Sequence, residues 1–155
     1  MEKFPIVRIK RGKTKFGNKI YKKKEAISIM EELAKKYGMV YTLDLDGFRK
    51  NSANLNLYKK LRKLWVDAHP RYVEDVMDLI IVGIERITIR NLNFDYLKEI
   101  REICEQEIFL VGKDAVKKVK EFGFDGVVLD EEEDIKEDIQ TWKIYLNEEV
   151  IKRIR

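Results

Sequence analysis

The chain has 155 residues, 45% of them hydrophobic and 39% charged, with a formal net charge of +4 at pH 7. That length suits a single α/β domain spanning residues 1–155 with a substantial core. No apolar run approaches the roughly 18 residues of a membrane helix, and Met1 to Lys15 lacks the apolar region of a signal peptide. The lone cysteine, Cys104, excludes an intrachain disulfide, and a cytoplasmic setting follows by default.

Abundant Lys and Glu with few Gln is a thermophilic composition. It competes with nucleic-acid binding as the source of the basic balance. Arg8, Lys10, Arg11, Lys13, Lys15, Lys19 and Lys22 to Lys24 crowd the first 24 positions, and an acidic run from Asp130 to Asp134 opposes them. Without interleaved aromatics the basic cluster reads as a solvated surface, and a nucleic-acid partner is not expected.

Phe4 to Lys10 alternates as a first strand, and Gly12 starts a turn. Ala26, Ile27, Ile29, Met30, Leu33 and Ala34 have helical spacing from Lys24 to Tyr37, with Gly38 as the stop. Met39 to Asp44 is a second strand, and Asn54 caps a short helix containing Leu55, Leu57, Tyr58 and Leu61. Lys63 to Asp67 is a third strand, followed by a helix from Tyr72 to Val82 and a fourth strand from Arg86 to Ile89. Asp95 to Cys104 is helical, Glu107 to Val111 a fifth strand, Ala115 to Phe122 a helix and Gly126 to Leu129 a sixth strand. Thr141 to Leu146 is a seventh strand, and Glu148 to Ile154 a closing helix.

This alternation predicts a parallel sheet, because parallel neighbours need crossovers. Units of about 22 residues are short for an eightfold barrel, whose usual length is ~250 residues. The fold expectation is a shortened or incomplete TIM-barrel-like (βα) repeat, with an open doubly wound parallel sheet as the alternative. Seven strands with no clear eighth leave edges unpaired, and a homodimer is expected to cover them.

The candidate site lies at the strand ends. In an alternating strand Asp44 and Asp46 share a face, and both carboxylates would emerge at the C-terminal edge, where parallel α/β proteins bind ligands. The next strand ends in Asp67, followed by a loop with His69 and Arg71. Two carboxylates can ligate a divalent cation, but no metal and no cofactor is expected here. His69, the only histidine, lies at the same edge.

YTLDLDGF, WVDAHPR and DVMDLIIVGIERITIR together resemble the N-terminal half of the histidine-biosynthesis ProFAR isomerases, over about Phe4 to Arg90. The resemblance implies a barrel fold, sugar-phosphate isomerisation and two catalytic carboxyl groups, of which Asp114 in Val111-Gly112-Lys113-Asp114 matches one. The other position, after Pro5-Ile6-Val7, holds Arg8, whose permanent charge cannot serve as an acid. The family's phosphate-binding glycines are replaced by Asp67-Ala68-His69-Pro70, and a later Gly-Thr/Ser by Arg90-Asn91. The expectation is therefore a divergent relative that does not isomerise ProFAR and binds a phosphorylated or other anionic small molecule. Asp114 and Asp44 are its catalytic candidates, and Arg8, Asp46, Asp67, His69, Arg71 and Arg90 its ligand-binding candidates. The alternative is a non-enzymatic regulatory or interaction protein on the same scaffold; if the chain is an enzyme, it is an isomerase or lyase.

Overall fold

The computed structural model describes residues 2–90 and 94–155; Asn91, named above, lies outside them. Among the described residues the chain forms ten strands: β1 (Lys3–Lys10), β2 (Lys13–Phe16), β3 (Lys19–Tyr21), β4 (Val40–Asp44), β5 (Leu64–Asp67), β6 (Arg86–Ile89), β7 (Glu107–Val111), β8 (Gly126–Asp130), β9 (Thr141–Tyr145) and β10 (Val150–Arg153). Six helices accompany them: α1 (Lys23–Tyr37), α2 (Leu45–Lys50), α3 (Leu55–Tyr58), α4 (Val73–Ile81), α5 (Phe94–Ile103) and α6 (Val116–Phe122). None is long and apolar enough to cross a membrane.

β1, β4, β5, β6, β7, β8 and β9 run parallel as successive neighbours. β10 is antiparallel to β9 on one side and to the first half of β1 on the other, and this double pairing closes an eight-stranded barrel. The expected incomplete parallel TIM-barrel-like repeat, and the open doubly wound sheet, are both corrected: the sheet is closed and mixed. The expected closing helix over Glu148 to Ile154 is the missing strand. A 3₁₀ turn at Leu146–Glu148 and Glu149 at φ +53° reverse the chain tightly enough to return Ile151 to the core. Closure also removes the reason for expecting a homodimer, since the barrel strands have no open edge.

The second half of β1 pairs with β2 instead of β10. β1, β2 and β3 form a meander joined at Arg11-Gly12 and Gly17-Asn18, all four at positive φ, as two-residue hairpin turns require.

Alternation in the strands separates two apolar layers. One face of the barrel strands turns Phe4, Ile6, Tyr41, Leu43, Trp65, Phe109, Val128, Trp142, Ile144 and Ile151 inward. The other face packs Val7, Ile9, Val40, Val66, Ile87 and Leu110 against Met30 and Leu33 of α1, Val76 and Leu79 of α4 and Val119 of α6. Burying large aliphatic side chains stabilises each by about 1.5–3 kcal/mol. Gly38 ends α1 at φ +93°, a left-handed cap that glycine adopts without a Cβ penalty.

The interior is filled with rings. The Arg86 guanidinium lies 5.0 to 5.9 Å from the ring centres of Phe4, Trp65, Phe109 and Trp142, and its Nη2 reaches Glu107 at 3.2 Å. Cys104 is buried just beyond α5, where burial raises its thiol pKa against the opposing Arg101 charge.

Candidate functional site

A strand-end aspartate can face the barrel interior or the helix layer, and parity decides. Asp67 shares the inward face of β5 with Trp65. Asp44 shares the outward face of β4 with Val40, which packs among the helices. The two acids therefore do different work.

Asp44 faces the helix layer and accepts hydrogen bonds from Gly47 N at 3.0 Å, Asn54 N at 2.8 Å, Asn54 Nδ2 at 2.9 Å and the Tyr58 hydroxyl at 2.5 Å. Asp46 does not share a strand face with it. β4 ends at Asp44, and α2 begins at Leu45. Asp46 accepts from Arg11 N at 2.8 Å, Gly12 N at 3.0 Å and Asn54 Nδ2 at 3.0 Å, fastening the β1–β2 turn. Burial raises the Asp44 pKa despite its four donors, whereas for Asp46 the same penalty is outweighed by its hydrogen bonds and its pKa falls. The conspicuous DLD motif is an internal staple.

The mouth of the barrel holds the other candidates. Asp67 is fully buried and takes a bidentate pair from Arg90, with Arg90 Nε 3.1 Å from Oδ1 and Nη2 2.8 Å from Oδ2. The Arg90 guanidinium also lies 5.1 Å from the Phe48 ring centre. Burial opposes the Arg90 charge, but Asp67 more than offsets it, and the Arg90 pKa is raised. Its Nη1 makes no hydrogen bond among the described residues.

Below this pair runs a polar chain that the sequence reading did not anticipate. Trp65 Nε1 lies 2.8 Å from Thr88 Oγ1, Thr88 Oγ1 lies 3.1 Å from the Tyr41 hydroxyl, and that hydroxyl lies 3.0 Å from Asp67 Oδ2. Tyr41 has one proton and gives it to the carboxylate, so Thr88 must donate to Tyr41 and Trp65 to Thr88. Burial and the Asp67 charge hold the Tyr41 pKa well above its ordinary value, which keeps that donor in place. The available signal was parity: Tyr41, Trp65, Asp67 and Thr88 all share the inward face.

Arg8 also faces inward, alternating with Phe4 and Ile6, and makes one long bond from Nη2 to Leu146 O at 3.4 Å. His69, at φ +51°, packs edge-on to Phe48 at 5.5 Å between ring centres. Partial burial and the Arg71 and Arg90 charges lower its pKa, against Asp67. Arg71 is turned aside, donating to Gly47 O at 3.0 Å and Phe48 O at 2.6 Å, and so clamps α2. Asp114 is exposed in the 3₁₀ turn after β7, with no capping bond to the helix it precedes. The structure thus brings Asp67, Arg90 and His69 together around Phe48 and places Asp44 and Asp46 elsewhere.

No protein-family model matches the chain, and no curated protein does. Among solved structures the chain is similar to the N-succinyl Arg/Lys racemase from Bacillus cereus ATCC 14579, at 11% sequence identity and a TM-score of 0.53. The match covers 84% of this chain and 38% of that one, so this chain spans well under half the racemase's length. At that identity the likeness is one of fold alone. It lends no support to kinship with the histidine-biosynthesis isomerases.

Proposed function

We propose that this protein binds a small phosphorylated or carboxylated anion at the mouth of its barrel and does not turn it over. The observation that carries this reading is Arg90. Asp67 and Phe48 fix the plane of its guanidinium, and Nη1 is left without a partner among the described residues. An oriented guanidinium edge suits paired oxygens of a phosphate or carboxylate. Arg8 adds a second inward-facing cation held by one long hydrogen bond.

The absence of turnover rests on the aspartates. Asp44 and Asp46 are engaged by seven donor contacts between them, and Asp67 by Arg90 and Tyr41. Arg8 stands within β1 at the position where the resemblance to the ProFAR isomerases would need a carboxyl group, so no such activity is expected. The unpaired, buried Cys104 fits a cytoplasmic setting.

The test is titration with inorganic phosphate, following the single histidine by NMR together with the melting temperature. A ligand that binds only the native state raises the melting temperature. An anion beside Arg90 should also raise the His69 pKa, saturably, and Arg90→Met should abolish both effects. Absence of either response in the parent protein would overturn the reading.

A further inference from the structure

The β1–β2–β3 meander carries a second basic surface, and strand register defines it. Arg8 stands opposite Lys15, Lys10 opposite Lys13, and Lys15 opposite Ile20. Directly opposed residues share a face, so Arg8, Lys10, Lys13, Lys15 and Ile20 lie together. This is the β1 face that lower down turns Phe4 and Ile6 into the barrel. The reverse face is covered: Thr14 Oγ1 bonds Met30 Sδ of α1 at 3.6 Å, and Phe16 packs on the outer core.

Like charges directly opposite on neighbouring strands are destabilising, and here two such pairs adjoin. None of the four cations forms an ion pair among the described residues. Lys10, Lys13 and Lys15 are exposed, and with Arg11 and Ile20 they line a groove of about 300 Å³. The face is held firmly from behind. Asp46 binds both amides of the Arg11-Gly12 turn, and Glu149 accepts from Gly17 N at 3.0 Å at the other turn. A surface whose turns are held in place and whose like charges stay opposed and unneutralised favours a bound polyanion.

We propose that this face, which the sequence alone reads as a solvated surface, binds single-stranded nucleic acid through its phosphates, because strand register gathers its cations on one side of the meander. A concave groove accepts a chain, whereas a planar lipid headgroup layer would meet only its rim. Lysine ammonium groups act as point charges on phosphates. The face has no aromatic side chain for base stacking, so binding is independent of sequence and wholly electrostatic. It is separate from the Asp67–Arg90 mouth except at Arg8, which belongs to both.

The experiment is anisotropy of a fluorescent oligothymidylate across a salt series. Single strands lose affinity with a slope of about −0.7 per cation on logarithmic axes, so the four cations lining the groove, Lys10, Arg11, Lys13 and Lys15, give about −3, or roughly 50-fold over a fourfold rise in salt. The double variant Lys13→Gln/Lys15→Gln should halve that slope to about −1.4. It should keep its fold by circular dichroism and keep the His69 response to phosphate. Lys13→Arg/Lys15→Arg should restore the parent slope. A parent slope near zero, a slope unchanged in the glutamine variant, or binding to anionic phospholipid vesicles but not to the oligonucleotide would each overturn the proposal.

Discussion

Arg90 Nε and Nη2 lie 3.0 and 2.8 Å from the same oxygen, Oδ2, of Asp67. The partners are unequal: the Asp67 side chain has no exposure, whereas that of Arg90 keeps 26%. Arg90→Met leaves a carboxylate buried with Tyr41 as its remaining donor, whereas Asp67→Asn keeps an acceptor for Tyr41 and leaves a cation that can turn to water. Removing one member of a buried pair costs about 3–5 kcal/mol, and exposed pairs are worth about 1 kcal/mol or less. We expect Arg90→Met to cost about 3 kcal/mol and Asp67→Asn about half of that, by urea denaturation. Equal losses would mean that the burial asymmetry does not govern the pair.

His69 is the only histidine, so its ring signals report one titration without assignment ambiguity. Partial burial, Arg71 and Arg90 lower its pKa from the ordinary 6.5. A histidine whose folded pKa is depressed binds protons more readily when unfolded. Stability should therefore be retained above about pH 6.5 and fall as the pH drops through the folded pKa. Arg90→Met removes one depressing charge, and the NMR midpoint should move up toward 6.5. A midpoint at or above 6.5 in the parent would remove Arg90 from the ring's neighbourhood.

Most strands and the four longer helices were legible because alternation and helical spacing were unbroken in them. Arg86–Ile89 and Glu107–Val111 match their expected bounds. Two features were hidden. Val150–Arg153 is short, is preceded by Glu148 and Glu149 and contains Lys152 and Arg153, whose charges mimic a solvated helix, and only its two pairings show it to be a strand. The Lys13–Tyr21 hairpin was masked by lysines, although Gly17-Asn18 between alternating residues was a turn signal. At the site, Asp44 and Asp46 drew attention as strand-end acids. The largest rings, Tyr41, Trp65, Phe109 and Trp142, mark the face that lines the barrel, and Asp44 lies on the opposite parity from Tyr41.

Asp44 and Asp46 should leave opposite marks on the pH profile. Burial raises the Asp44 pKa above 3.8, so the folded state binds a proton more readily than the unfolded chain. Its effect is a loss of stability as pH climbs from about 3.8 through the raised value. Asp46, lowered by Asn54, Gly12 and Arg11 against burial, contributes stability above 3.8 that is lost as pH falls through its folded pKa. Asp46→Asn should therefore flatten the acid limb below 3.8, and Asp44→Asn should alter the slope above it. Asn54→Ala removes the amide that joins both carboxylates and should cost about 3–6 kcal/mol, from two hydrogen bonds to charged groups at about 1.5–3 kcal/mol each. Chemical denaturation of the three variants from pH 3 to pH 7 separates these effects; coincident profiles would refute the assignment.

The glycine of the DLDG motif yields the sharpest test of what that motif does. A Cβ on Gly47 would lie 2.4 Å from Ala68 O and 2.9 Å from Ala68 Cβ. Both chains are confined: α2 by Asp44, which accepts from Gly47 N, and by Arg71 on Gly47 O, and the loop after β5 by the Asp67–Arg90 pair. Gly47→Ala should thus lower stability by about 2–3 kcal/mol, the range for an overpacked interior. Gly47→Ala with Ala68→Gly relieves the side-chain contact but not the carbonyl, so rescue should be partial. Because Ala68 precedes His69, the displaced loop should also shift the histidine resonances in Gly47→Ala while its titration persists. A variant as stable as the parent, with unmoved His69 signals, would show that this glycine serves something other than the close approach of α2 to the mouth.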